Sequence, residues 1–405
     1  MSDPGLNEAG AASKDSDPFE SSFLMKTYGP RRVCFLRGEG ARLYDDSDKE
    51  YVDFLAGIAV VSLGHSNSII NNVLIEQSKK LWHVSNYFYN ENAGRLAKAI
   101  DEKIASKSNG RVFFCNSGAE ANEAAIKLAR RWGGADRFEI IAMRQSFHGR
   151  TMGALAATGQ FSKKLPFLPM LEGFTHVEFG DIAALRSAIG PNTAAVLLEP
   201  IQGEAGVIDP PPDYLDQVEE LCRETGVLLI LDEVQTGLCR TGKWFAFQHS
   251  SISPDIVLLA KALGNGIPIG AVWAKEAVAG AFQAGDHGST FGGGALATAV
   301  GLCVIGEMER LGIADAANRS SSILRNALMR IGLVKSLSGR GLLVGVCRSL
   351  TDQMAMDAEG AHKLVRIRVV GALNEEHALT LAKKVASSQL LESGRPLGSK
   401  ELFQD

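Results

Sequence analysis

The stretch Leu228-Leu229-Ile230-Leu231-Asp232-Glu233-Val234-Gln235-Thr236 decides the fold, because an unbroken aliphatic run ends abruptly in two carboxylates. A strand with one wet face alternates apolar and polar side chains, whereas a strand covered on both faces reads as continuous Leu, Ile and Val. The run predicts such a strand over Val227 to Leu231. The same pattern recurs at Arg111 to Cys115, Phe138 to Met143, Ala194 to Leu198, Ile256 to Ala260 and Ile269 to Ala274, each flanked by Gly, Pro, Asp or helical sequence. Helical spacing separates the runs, as at Leu96, Ile100 and Ile104 ahead of Arg111. The alternation predicts an α/β domain with a largely parallel sheet covered by helices.

A chain of 405 residues, 45% of them hydrophobic, can bury two cores, so one large and one smaller domain are expected. Residues 1–17, rich in Gly, Ser, Asp and Ala, read as a disordered tail. Residues 18–62 are expected to join the small domain, 63–293 to form the large one, and 294–405 a smaller α+β domain entered through an amphipathic helix over Ala295 to Leu311. A net charge of -4 without runs of like charge argues against nucleic acid or an anionic membrane as partner. No apolar stretch reaches the roughly 18 residues of a membrane span, and the start has no signal-peptide pattern, so a cytoplasmic protein is expected. The six cysteines include no Cys-x-x-Cys pair, which points to neither a metal site nor a disulfide framework.

Three segments carry chemistry. Asn116-Ser117-Gly118-Ala119-Glu120-Ala121-Asn122-Glu123 follows a strand and opens a helix running to about Trp132; free amides at such a helix start suit a phosphate, and Ser117 adds a hydroxyl. An ordinary capped helix would read the same way. Asp232 closes a strand where ligands of open α/β sheets bind, and a carboxylate there could pair with a protonated pyridine nitrogen; a Mg²⁺ site is the rival for Asp-Glu. No phosphate-loop motif supports a nucleotide and metal. In Ile256-Val257-Leu258-Leu259-Ala260-Lys261-Ala262-Leu263-Gly264-Asn265-Gly266 a lysine stands directly after a buried run. Most lysines are solvated surface residues, but a desolvated one at a strand end can attack an aldehyde and form a Schiff base.

In order and spacing these segments resemble the class III aminotransferases, which depend on pyridoxal-5′-phosphate (PLP), and most of all their acetylornithine branch. The resemblance covers about Leu36 to Gly345 and rests on Asp53-Phe54-Leu55-Ala56-Gly57-Ile58-Ala59-Val60, Asn116 to Glu123, Phe147-His148-Gly149-Arg150-Thr151, Glu199-Pro200-Ile201-Gln202-Gly203-Glu204, Asp232 to Thr236, Lys261 and His287-Gly288-Ser289-Thr290-Phe291-Gly292-Gly293. It implies PLP fold type I and transamination of an ω-amino donor, N2-acetyl-L-ornithine above all, with 2-oxoglutarate as acceptor. The products would be N-acetylglutamate semialdehyde and glutamate, a step of arginine biosynthesis. Lys261 would hold the cofactor and move the proton, Asp232 would pair with the ring nitrogen, Gln235 would bond its 3′ oxygen, and Phe147 would stack on the ring. Ser117, Gly118 and Ala119 would hold the phosphate, with Thr290 reaching the phosphate of the partner in a homodimer whose sites lie at the interface. Arg150, Glu204, Ser289, Ile58 and an arginine of the C-terminal domain would bind substrate. Arg368 fits that last position best and Arg366 is the fallback; Glu204 would neutralise it when an amine is bound. Ile58 replaces the tyrosine of ornithine δ-aminotransferases, which favours an acylated donor.

The pattern is broken in places. The family's Gly-Gly-Asn-Pro-Leu-Ala reads Gly292-Gly293-Gly294-Ala295-Leu296-Ala297, its Gly-His-x-His-Pro reads Gly64-His65-Ser66-Asn67-Ser68, and the stretch from Gly345 to Arg368 is short, with Gly371 where proline is usual. Succinylornithine, diaminobutyrate, aminobutyrate and carrier-bound lysine precursors are neighbouring donors, and a different ω-amine of specialised metabolism is the second reading. A non-catalytic PLP-fold partner protein is the third.

Overall fold

A computed structural model describes residues 23–29, 33–104, 109–332 and 334–347. The aliphatic runs become β4 (Gly110–Cys115), β5 (Glu139–Met143), β7 (Thr193–Leu198), β8 (Leu228–Asp232), β9 (Ile256–Leu259) and β10 (Gly270–Lys275), joined by β6 (Phe174–Val177). They form one seven-stranded sheet in the order β4-β10-β9-β8-β7-β5-β6. The sheet is parallel from β9 through β8, β7 and β5 to β6, while β10 runs antiparallel to both β9 and β4. The PLP fold type I expectation of an α/β domain with a mostly parallel sheet therefore holds.

Successive side chains of each strand enter opposite cores, as the pleat requires. Ile141, Val196, Leu198, Leu229, Leu231, Val257 and Leu259 pack with Leu96, Ile100 and Ile104 of helix Glu91–Ile104 and with Val300, Val304 and Met308 of helix Ala295–Arg310. Ile140, Ala195, Leu197, Leu228, Ile230, Ile256 and Leu258 pack on the other face against helix Gly118–Gly133, whose Ala121, Ala124, Ala125, Leu128 and Ala129 let it lie close to the sheet. Both faces are dry, which explains the unbroken runs.

Further elements lie outside the sheet. An antiparallel meander, β1 (Phe35–Glu39), β2 (Arg42–Asp45) and β3 (Glu50–Val52), precedes the sheet, and its Gly40 bridges to His65. Contacts divide the chain into two units: the sheet, its helices and the described residues up to Ser321, together with Gly339–Leu343, form the first. The described part of the second contains the end of helix Ile313–Met329 and the antiparallel pair β11 (Ser336–Ser338) and β12 (Gly345–Cys347). Arg366 and Arg368 lie outside the described residues. Among the described residues no helix is long and apolar enough to cross a membrane.

Candidate active site

β4, β5, β7, β8 and β9 all end on the same edge of the sheet, and the residues that follow them line one cavity of about 420 Å³. Asn116 to Ala119 come after β4, Phe147 to Arg150 after β5, Glu199 after β7, Asp232, Val234 and Gln235 at the end of β8, and Lys261 after β9. Val60 and the turn Gly266 to Ile269 complete the wall. This is the crevice beyond the carboxyl ends of parallel strands, where the topology leaves room for a ligand.

Ser117 caps helix Gly118–Gly133: its backbone is extended and its Oγ accepts from the Glu120 amide at 3.2 Å. The amides of Gly118 and Ala119, at the start of the helix, are left without intrahelical partners and border the cavity. Gly149 faces this turn with a φ of 138°, and a Cβ there would stand 2.7 Å from that of Ala119, so only glycine lets the two loops meet.

Asp232 is buried, and its Oδ2 accepts from Asn122 Nδ2 at 2.9 Å and from His148 Nδ1 at 2.8 Å. Its Oδ1 accepts from the Val234 amide at 3.1 Å. The neighbouring Glu233 turns away: its oxygens accept from the Thr236 hydroxyl and from the amides of Ala246 and Phe247. The Asp-Glu pair thus diverges, which is unlike two ligands of one cation. Among the described residues no cluster of three or more His, Cys, Asp or Glu could hold a metal.

Lys261 takes a left-handed backbone, φ 44°, directly after β9, and its Nζ lies 3.4 Å from Gln235 Oε1. Burial pushes its ammonium pKa below the ordinary value, opposed by the charges of Asp232, Glu199 and Glu204. Glu199 is buried, accepts from the amides of Phe147 at 3.0 Å and Gly203 at 3.2 Å, and has its pKa raised to about 7 by burial. A lysine whose ammonium is destabilised by burial, at a cavity that Glu199 also lines, suits nucleophilic and proton-transfer chemistry.

Ser117, Gly118, Ala119, Phe147, Arg150, Asp232, Gln235 and Lys261 thus come together at the cavity. Arg150 is exposed at its rim, its guanidinium 5.6 Å from the centre of the Phe147 ring. Other expected residues do not line it in the single chain. Ile58 is 49% exposed and its neighbour Val60 forms the wall instead. Ser289 Oγ accepts from Asn116 Nδ2 at 3.1 Å, Thr290 is exposed, and Glu204 pairs with Lys163 at 2.9 Å. Asn122, His148, Glu199 and Val60 belong to the sequence motifs, yet their place at the cavity emerges only from the fold. Asn122 does leave a trace in the sequence, as a polar side chain one turn beyond Gly118 on the sheet-facing stripe of its helix.

The cavity fits PLP on its own chemistry. It offers helix-start amides for a phosphate, a buried carboxylate for a pyridine nitrogen and a desolvated lysine for an aldehyde. Asn122 Oδ1 and His148 Nε2 are also buried beside it without a partner.

Comparison with known proteins agrees. The family described as aminotransferase class-III matches residues 24–379. Acetylornithine aminotransferase of Methanopyrus kandleri is 46% identical over 82% of this chain and 85% of its own, and that of Streptomyces coelicolor is 46% identical over 87% and 89%. The crystal structure of the Toxoplasma gondii ornithine aminotransferase superposes with a TM-score of 0.78 at 37% identity, covering 82% of this chain and 81% of that one. A second Toxoplasma structure shows partial occupancy of PLP at its active site. On this family match and these identities, the chain belongs to the class-III aminotransferases, enzymes that depend on pyridoxal-5′-phosphate.

Proposed function

We propose that this aminotransferase acts on N2-acetyl-L-ornithine with 2-oxoglutarate, giving N-acetyl-L-glutamate 5-semialdehyde and L-glutamate, as a cytoplasmic homodimer. The observation that carries the reading is the run of acetylornithine aminotransferases among relatives at 43–46% identity. The aliphatic Val60 wall supports it, since an acylated donor has no second ammonium to be paired there. When bound, PLP supplies an aldehyde that takes up the donor's amine and a ring that withdraws electrons from the carbon bearing it.

The chain's residues divide the remaining work. The Gly118 and Ala119 amides and the Ser117 hydroxyl would hold the phosphate, Phe147 would lie against the ring, and Gln235 would bond the 3′ oxygen. Asp232, oriented by His148 and Asn122, keeps the ring nitrogen protonated. Lys261 Nζ would hold the aldehyde end at rest and, once a donor has displaced it, would serve as the base for the proton on the donor's amine-bearing carbon. Arg150 grips a substrate carboxylate by its planar fork. Exposed Phe54, Tyr87, Tyr89 and Phe291 supply an apolar surface for a second subunit, which would bring Thr290 to the neighbouring phosphate site.

Free ornithine is the rival donor, favoured by the likeness to ornithine aminotransferase structures. A donor panel with 2-oxoglutarate decides between them: acetylornithine, succinylornithine, ornithine, 2,4-diaminobutyrate and 4-aminobutyrate, compared by kcat/KM. The proposal stands if acetylornithine leads by tenfold or more, and fails if ornithine or another amine matches it.

A further inference from the structure

The segment after β3 adopts a backbone that its sequence disfavours. Ala56, Gly57, Ile58 and Ala59 have φ values of 50°, 65°, 62° and 63°, a left-handed turn in which only Gly57 is at ease. Strain of this kind persists only where surrounding bonds over-determine it.

Here the bonds converge on Asp53. Its Oδ1 accepts from the amides of Leu55 at 2.9 Å and Ala56 at 2.8 Å, closing the entry to the turn. Its Oδ2 lies 2.7 Å from His65 Nε2. The His65 backbone is tied in turn to the meander, by His65 N to Gly40 O at 2.8 Å and Gly40 N to His65 O at 3.0 Å. A Cβ on Gly38 would stand 2.8 Å from the His65 side chain, so the ring is packed as well as bonded. Burial acts to raise the Asp53 carboxyl, but the His65 ring and the two amides outweigh it and hold its pKa below the ordinary value.

The exit of the turn is fixed to the catalytic loop. Asn265 Oδ1 accepts from the Leu63 amide at 2.8 Å and Nδ2 donates to Gly64 O at 3.2 Å, only four residues after Lys261. Arg240 donates to Ser62 Oγ at 2.9 Å. Between the two anchors Val60 enters the cavity wall.

We infer that Asp53 and His65 are positioning residues for transamination: together they hold the left-handed turn 56–59 and thereby set the Val60 wall against the amino donor. Neither touches the cavity; they act through the backbone they hold. The inference rests on the reading of that wall as the donor side of the site.

The test compares Asp53→Ala, Asp53→Asn, His65→Ala and His65→Gln in the PLP-loaded enzyme. Asparagine retains an acceptor for the two amides and glutamine retains a donor for Asp53, so both are rescue variants. Amide hydrogen exchange over residues 55–61 should accelerate at least tenfold in the alanine variants. The Michaelis constant for the best donor in the panel should rise at least tenfold, while the constant for the oxo-acid acceptor and the cofactor absorbance band change less than twofold. The rescue variants should return both readouts to within threefold. Should the alanine variants fail to fold, Asp53→Ser and His65→Phe take their place; Ala59→Gly, which relieves the strain, should halve or abolish the effect of Asp53→Ser on exchange. Unchanged exchange, no relief by Ala59→Gly, or equal damage to donor and acceptor constants would overturn the inference. A panel led by an amine other than acetylornithine would instead overturn only the donor assignment.

Discussion

His148 Nδ1 and Asn122 Nδ2 meet on one oxygen of Asp232, at 2.8 Å and 2.9 Å, deep in the sheet's carboxyl edge. A carboxylate oxygen only accepts, so the imidazole proton of this contact sits on Nδ1 and the carboxylate is held in one orientation. The strand end brings the charge to the cavity, and the two donors decide which way it points.

Removing one donor should therefore cost rate without removing the charge. A hydrogen bond to a charged group contributes about 1.5–3 kcal/mol, so His148→Ala should lower kcat by about tenfold to a hundredfold. Asp232→Ala should go further and slow turnover by orders of magnitude, since a neutral pyridine ring is a poor electron sink. Steady-state rates of both variants, with folding checked by circular dichroism, measure this. A His148→Ala enzyme as slow as Asp232→Ala would mean that the imidazole does chemistry of its own.

Lys261 should be the residue that borohydride fixes to the cofactor, seen as a pyridoxyl mass on its peptide. Burial holds its ammonium pKa below the ordinary 10.5, so the reactive amine is populated at lower pH than on a surface lysine. Cofactor uptake by the apoenzyme should accelerate with rising pH and level off below 10.5. A label on another lysine, or uptake that climbs through that value, would contradict the assignment.

Glu199 gives a stability prediction with a definite sign. Burial raises its carboxyl from 4.5 to about 7, so between those values the folded chain binds a proton that the unfolded chain does not. Its contribution is complete below about 4.5 and is lost as pH rises through about 7. At about 1.4 kcal/mol per unit the full change is about 3.5 kcal/mol. Glu199→Gln, which cannot ionise, should gain on wild type by that order between pH 5 and pH 8 when the apoenzymes are unfolded in urea. An equal difference at both pH values would show that Glu199 does not titrate in this window.

The residues that sequence alone reveals are those whose physics is local. β7 and β8 are buried at every position, so they read as aliphatic runs whatever surrounds them. Their direction does not read: β10 is buried from Gly270 to Ala274 as β9 is throughout, but runs the other way. β6, with Phe174 and His176 only partly buried and Thr175 exposed, has too short and mixed a pattern to register. Lys261 and Asp232 are legible because each ends a run. His148 and Asn122 are not, because their roles arise from meeting on Asp232 across separations of 84 and 110 residues. The left-handed turn at Ala56–Ala59 is hidden for the opposite reason, since Ala and Ile argue against the conformation they hold.

Glu204 has a partner that the sequence does not suggest. Its carboxylate lies 2.9 Å from Lys163 Nζ, whose ammonium also stands 5.3 Å from the Phe147 ring centre. If Glu204 masks Arg368 while an amine is bound, Lys163 competes for the same carboxylate and tunes how readily it lets go. Glu204→Ala should then free the arginine, so that glutamate gains as a donor relative to acetylornithine. Lys163→Ala should do the reverse by leaving Glu204 wholly to the arginine, weakening 2-oxoglutarate binding while sparing the amine half-reaction. Arg368→Ala should weaken 2-oxoglutarate binding while sparing the amine half-reaction. Single-turnover measurement of each half-reaction separates these effects, and Arg366→Ala serves as the control. Equal damage to both halves from Arg368→Ala, or loss from Arg366→Ala alone, would move the acceptor's grip to a different arginine and leave the Glu204–Lys163 pair as a structural tie beside the Phe147 ring.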